Sequence, residues 1–201
     1  MTTYAIIGFG KIGHALANAF ARKGIEVSVA TTRDPGSFAA DAAAIGPQIV
    51  PATLADAVKA DVIFLAVRFQ AHGEVASALA SWQGKIIVDV TNAYGVSPEE
   101  LGGQSSAELV AKAFVDGRLV KGFNHLGATR LGQDPARHGG KRVVFLASDD
   151  DEAAAEVGAL AERLGFAPIN LGKLSEGGLL VQGRGDEWGH LIFKDLFSFE
   201  G

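Results

Sequence analysis

At 201 residues, 48% of them hydrophobic and 20% charged, the chain has the composition of a globular protein and the length to bury a real core within one large domain spanning 1–201. A formal net charge of -5 without Lys/Arg clusters excludes a phosphate-backbone-binding surface, and the absence of cysteine excludes disulfides, thiolate zinc sites and a cysteine nucleophile. The N-terminal "MTTYAIIG" has no basic leader or cleavage site, and no apolar run approaches the roughly 18 residues that cross a bilayer, so a cytoplasmic protein, neither exported nor membrane-embedded, is expected.

The first apolar run, "YAIIG" at 4–8, leads through Gly8, Gly10 and Gly13 into an alanine-rich helical segment at 11–23. A strand, a G-x-G-x-x-G turn and a helix in this order form a dinucleotide-binding unit. The first glycine turns tightly, the second admits a pyrophosphate, and the third lets helix meet strand. Free N–H groups at the helix start would hold the phosphates. The second strand, "EVSVA" at 26–30, runs into "TTRDP". An NAD site places a carboxylate here for the ribose 2'-hydroxyl, whereas Thr31, Thr32 and Arg33 supply hydroxyls and a guanidinium suited to a 2'-phosphate. Asp34 is the exception, and Pro35 is expected to turn it away. The cofactor read from these residues is NADP(H).

Helical segments at 37–45 and 53–60 precede a third strand, "DVIFLAV" at 61–67, which ends at Arg68. A helix at 71–81 and a strand "KIIVDV" at 85–90 follow, the latter ending at Thr91 and Asn92. Ligands bind beyond strand C-termini in open α/β sheets, so Ala66, Val67, Arg68, Thr91 and Asn92 are expected to line the nicotinamide side. After a loop at 95–103 and a helix at 104–116, "LVKGF" at 119–123 delivers Asn124 and His125 to the same edge. These two are the candidates for orienting an acceptor. "RLGQDPARHGGK" at 130–141 reads as a loop, "RVVFLA" at 142–147 as a strand, and "APINLG" at 167–172 as a last strand. The acidic run "SDDDEAAAEV" at 148–157 is better explained as a serine cap and carboxylates at the positive end of a helix over 152–164 than as a cation site. The histidines at 14, 72, 125, 138 and 190 lack ligand spacing, and no metal is expected. A glycine-rich loop at 174–189 leads to an apolar tail at 188–201 that suits a short helix or a homodimer contact.

Continuous rather than alternating apolar strands are those covered on both faces, and strands alternating with helices wind a parallel sheet. The fold expected is therefore α/β: a Rossmann-type, doubly wound, mostly parallel sheet with helices on both faces.

"IIGFGKIGHALANAFARKG", "TTRDP", "VIFLAV", "IIVDVTN", "VKGFN", "SDDDEAAAEV" and "LGFAPINLGKLS" together resemble, in order and spacing, the NADP-dependent oxidoreductases typified by NADPH:coenzyme F420 reductase, relatives of the oxidoreductase domain of the STEAP metalloreductases. The resemblance implies that Gly8, Phe9, Gly10, Lys11, Ile12 and Gly13 hold the pyrophosphate. It implies that Thr31, Thr32 and Arg33 hold the 2'-phosphate and that F420 or a flavin, as co-substrate, lies against the nicotinamide. Two departures stand out: Thr32 occupies the place of the family's first arginine, and the glycine-rich tail does not continue the family's C-terminal helical segment. Two alternatives stay open. One is a dehydrogenase or imine reductase of the hydroxyacid-dehydrogenase type, whose large helical substrate domain has little room after residue 172. The other is a non-catalytic NADPH-binding regulatory module.

Overall fold

The structure is a computed structural model that describes residues 1–137 and 139–183. In chain order its elements are β1 Tyr4–Ile7, α1 Lys11–Arg22, β2 Val27–Ala30, a 3-10 turn Pro35–Phe38, α2 Ala39–Ile45, β3 Ile49–Pro51, α3 Leu54–Ala57 and β4 Val62–Leu65. A second 3-10 turn Phe69–Ala71, α4 His72–Ala76, β5 Ile86–Asp89, α5 Ser106–Ala113, β6 Arg118–Gly122 and α6 Ala128–Gly132 follow. The short hairpin β7 Ala136–Arg137 and β8 Gly140–Lys141, then β9 Val143–Ala147, α7 Asp151–Arg163, β10 Ala167–Asn170 and α8 Gly177–Leu180 complete the described chain. The expectations for the tail at 188–201 fall outside the described residues.

Eight strands form one sheet in the order β10-β9-β6-β5-β4-β1-β2-β3. The six from β3 to β6 are parallel; β9 runs antiparallel to β6, and β10 parallel to β9. The central strands divide their side chains between two cores, as the two-residue period of a strand requires. Ile6, Phe64, Val88 and Val120 join Leu16, Phe20, Leu160 and Phe166 on one face. Ala5, Ile7, Ile63, Leu65, Ile87 and Leu119 join Ala57, Val75 and Val110 on the other. Apolar residues at consecutive positions are thus both buried, which is why these strands read as unbroken apolar runs.

Several helices are shorter than their alanine content suggests. The helix expected over 71–81 stops at Ala76, whose carbonyl accepts a 2.9 Å hydrogen bond from the buried Trp82 indole instead of continuing the helix. The one expected over 37–45 opens as a 3-10 turn capped by Asp34, and the one over 53–60 is a single turn capped by Thr53. The cap of α7 is Asp150 rather than a serine: its carboxylate accepts from Ala153 N at 2.8 Å and pairs with Arg118 at 2.7 Å. Arg118 also reaches Glu156 at 3.1 Å, and its hydrogen bond holds the Asp150 carboxyl at a pKa of about 2. The acidic run is therefore a helix start tied to β6. The stretch at 130–141 contains the end of α6 and the β7–β8 hairpin, and α6 packs on α1 through Gly132, where a Cβ would lie 3.5 Å from Ala15 Cβ. Among the described residues, no helix is long and apolar enough to cross a membrane.

Candidate functional site

The glycine turn lies where the sheet order reverses direction, between β1 and β4, and its three glycines do different work. Gly8 has φ +104, and a Cβ there would sit 2.3 Å from Ala66 O, so the turn closes against the end of β4. A Cβ on Gly13 would sit 2.0 Å from Gly8 O, so α1 can meet the turn only through glycine. Gly10 is the N-cap of α1 at φ -88, and a Cβ there would meet nothing within 4 Å. The space in front of Gly10 is open. Helix α1 has no side-chain cap and no acidic residue in its first turn, so its positive end faces that space with Lys11 as the nearest cation along the chain. An anion fits this arrangement, and the residues present match what a dinucleotide pyrophosphate requires.

Beyond β2, Arg33 N donates to Thr31 Oγ1 at 2.9 Å, which folds the loop back on itself and leaves the Thr31 hydroxyl proton for another partner. Thr32 and Arg33 are exposed. The Asp34 carboxylate is engaged locally: its Oδ1 accepts from Gly36 N at 2.8 Å as the cap of the 3-10 turn. The Arg33 guanidinium lies over the Phe38 ring, 5.7 Å from its centroid.

At the ends of β4 and β5, Ala66 and Val67 are half-buried and Arg68 is exposed, while Thr91 is buried. The Asn92 amide donates to Asn124 O at 2.8 Å, and the Asn124 amide donates to Asn92 Oδ1 at 3.0 Å and Val181 O at 2.8 Å. Gln182 Oε1 accepts from Ser106 N at 2.6 Å. This network draws the segment after α8 across the ends of β5 and β6. Among the described residues, Thr91 Oγ1, Ser106 Oγ and Asn124 Oδ1 are buried around it without a hydrogen-bond partner. Phe123, at φ +61, is the bend that aims Asn124 back at Asn92, a conformation a bulky residue adopts only under constraint; its ring packs on Phe64 and Phe166. His125 points elsewhere. Its Nε2–H donates to Val143 O at 3.3 Å, its ring lies 5.1 Å from Phe145, and burial pushes its pKa down to about 4, so it is neutral at pH 7. The structure therefore pairs Asn124 with Asn92 rather than with His125.

Sequence reasoning passed over a charge pair beneath this edge. Lys121 and Asp89 face each other on β6 and β5, both fully buried, with Nζ 3.0 Å from Oδ2. Asp89 Oδ1 also accepts from Thr91 N at 2.9 Å, and Lys121 Nζ donates to Thr91 O. The signal was a charge inside each of two otherwise apolar strands, "IIVDV" and "LVKGF". Gln182 and Val181 gave no such signal. A second groove, about 730 Å³, opens at the opposite sheet edge, but its Lys59 is paired with Asp56 and its Arg163 with Tyr4.

Six parallel strands in the order 3-2-1-4-5-6, counted among the parallel strands alone, with a glycine turn at the reversal point, define a Rossmann-type dinucleotide-binding protein. Residues 3–93 match the family described as NADP oxidoreductase, coenzyme F420-dependent, so this part of the chain is similar to the NADP oxidoreductases. The chain is 32% identical over 175 residues to mouse metalloreductase STEAP2, covering 86% of this chain but only 34% of that one, so it spans about a third of the length of this curated relative. A crystal structure of the hypothetical protein SMa0349 from Sinorhizobium meliloti is 39% identical with a TM-score of 0.86, covering 92% of each chain. A candidate F420-dependent NADP-reductase from an Arthrobacter species is 27% identical with a TM-score of 0.69, covering 87% of this chain and 86% of its own.

Proposed function

We propose that this oxidoreductase passes hydride between NADPH and a flat acceptor, coenzyme F420 or a flavin, in the cytoplasm. The observation that carries the reading is the pairing of two open corners. One is the uncapped start of α1 in front of Gly10. The other is the Thr31–Arg33 loop, whose neighbouring carboxylate is already engaged by Gly36. In this reading the N–H groups of Lys11, Ile12 and Gly13 hold the pyrophosphate beside Phe9, and Thr31, Thr32 and Arg33 hold the 2'-phosphate. The nicotinamide supplies or takes up hydride at its C4 when bound.

The rest of the site positions and excludes water, which is what transfer between stacked rings demands. Ala66, Val67 and Arg68, with Thr91 and Asn92, line the nicotinamide side. Asn124 shapes the acceptor side and brings no charge to it, while His125 is turned toward Val143 O. The lysine of this edge, Lys121, is sealed against Asp89 and Thr91 O and offers no acid to a carbonyl or imine. A ring that stacks is thereby favoured over a small keto acid or imine.

Oxidation of NADPH is expected with F420, FMN, FAD or riboflavin, followed spectroscopically with each acceptor in turn. Turnover of simple ketones or imines with none of these rings would overturn the acceptor assignment. Arg33→Ala is expected to weaken NADPH by about 1.5–3 kcal/mol and leave NADH unchanged, because only the phosphorylated cofactor loses a charged hydrogen bond. Equal losses in a calorimetric titration would reject the 2'-phosphate assignment.

A further inference from the structure

Four planar groups run from the end of β2 to the glycine turn. The Arg33 guanidinium lies 5.7 Å from the Phe38 ring centroid, and Phe38 packs on Phe9 at 5.7 Å with the planes inclined at 52°. Phe9 stacks on the His14 imidazole at 3.9 Å and 17°. His14 Nδ1 is 3.0 Å from Gly10 O, an acceptor, so this nitrogen carries the proton and the ring is fixed to the backbone of the turn itself. Phe9 and Phe38 are buried, whereas Arg33 is exposed. A solvated arginine samples many rotamers, and ordering it costs binding free energy. A ring face beneath the guanidinium restrains it before any ligand arrives, within the distance at which cation–ring attraction operates.

We propose that Phe38, buttressed by Phe9 and His14, is a specificity-determining positioning residue: it holds Arg33 ready for the cofactor's 2'-phosphate and so sets the preference for NADPH over NADH. The inference rests on the assignment of Arg33 to the 2'-phosphate and adds a residue that touches no part of the cofactor's phosphate. The stack also couples the two phosphate corners, since its far end is anchored on Gly10 O, beside the opening for the pyrophosphate.

The test is a double-mutant cycle read by calorimetric titration with NADPH and NADH, using Phe38→Met and Phe38→Leu on chains whose thermal unfolding remains cooperative. Both keep an apolar side chain in the core while removing the ring face; methionine, the more adaptable, serves where leucine leaves a void. Each is expected to weaken NADPH by roughly two- to fivefold with NADH unchanged. In an Arg33→Ala background the same substitutions are expected to change neither affinity. Equal losses for both cofactors, or a loss that persists without Arg33, would show Phe38 to be core packing only and would overturn the inference. Arg33→Ala with an unaltered NADPH-to-NADH ratio would instead overturn the 2'-phosphate assignment on which it stands.

Discussion

Of the three glycines of the turn, Gly10 alone would carry an added Cβ into open space. A side chain at Gly8 or Gly13 would collide with backbone carbonyls at 2.3 and 2.0 Å, so substitutions there act on the fold. At Gly10 the backbone is ordinary and the space is open, so a side chain acts on whatever occupies that space. Gly10→Val is accordingly expected to abolish NADPH binding with a melting temperature close to that of the parent. Gly8→Val is expected to lose the melting transition or lower it by many degrees. Retained NADPH affinity in Gly10→Val, measured by calorimetry, would mean that the turn serves only the fold. The glycine spacing and the Thr-Thr-Arg loop were legible in the sequence because local backbone geometry and chain-adjacent chemistry determine them. What Gly8 closes against was not, because Ala66 lies at the end of β4, more than fifty residues away along the chain.

Between elements, the consequential contact is the pairing of β5 with β6. Asp89 and Lys121 sit opposite each other in the register, and the pair lies at the sheet end where the Asn92–Asn124 bridge follows. Removing one member leaves the other charge buried without its counter-charge. Lys121→Met is expected to destabilise the protein by about 3–5 kcal/mol, and Lys121→Met with Asp89→Asn to recover most of that loss, because no net buried charge remains. Urea unfolding of the two variants checks this; equal losses in both would show that the ion pair is not what stabilises this edge. The same contact explains why the sequence pointed to strands yet not to this network. Each charged residue is individually odd in an apolar run, but their partnership exists only once β5 and β6 lie side by side.

Over the molecule as a whole, the protonation of buried His125 links folding to pH. Burial holds its pKa at about 4, below the 6.5 of an exposed histidine, so the folded state resists a proton that the unfolded state accepts. Its contribution is complete above about pH 6.5 and is lost as pH falls toward about 4, to a limit of roughly 3 kcal/mol. Unfolding free energy is expected to decline across that window, and His125→Gln, which keeps a donor for Val143 O, is expected to flatten the decline. An undiminished slope in the variant, from urea titrations at successive pH values, would assign the effect to other groups.

Apart from the edge strand β3, the strands of the main sheet, most helix starts, the Rossmann-type fold and the glycine turn could be read from the chain, because each rests on hydrophobic burial, glycine stereochemistry or chemistry carried by neighbouring residues. The tertiary structure alone decided the antiparallel β9, the early end of α4 under Trp82, the turning of Asn124 toward Asn92 and Val181, and the stack that leads from Arg33 to His14. Each of these joins residues from different elements, and their contacts have no energy until packing brings those elements within a few ångströms.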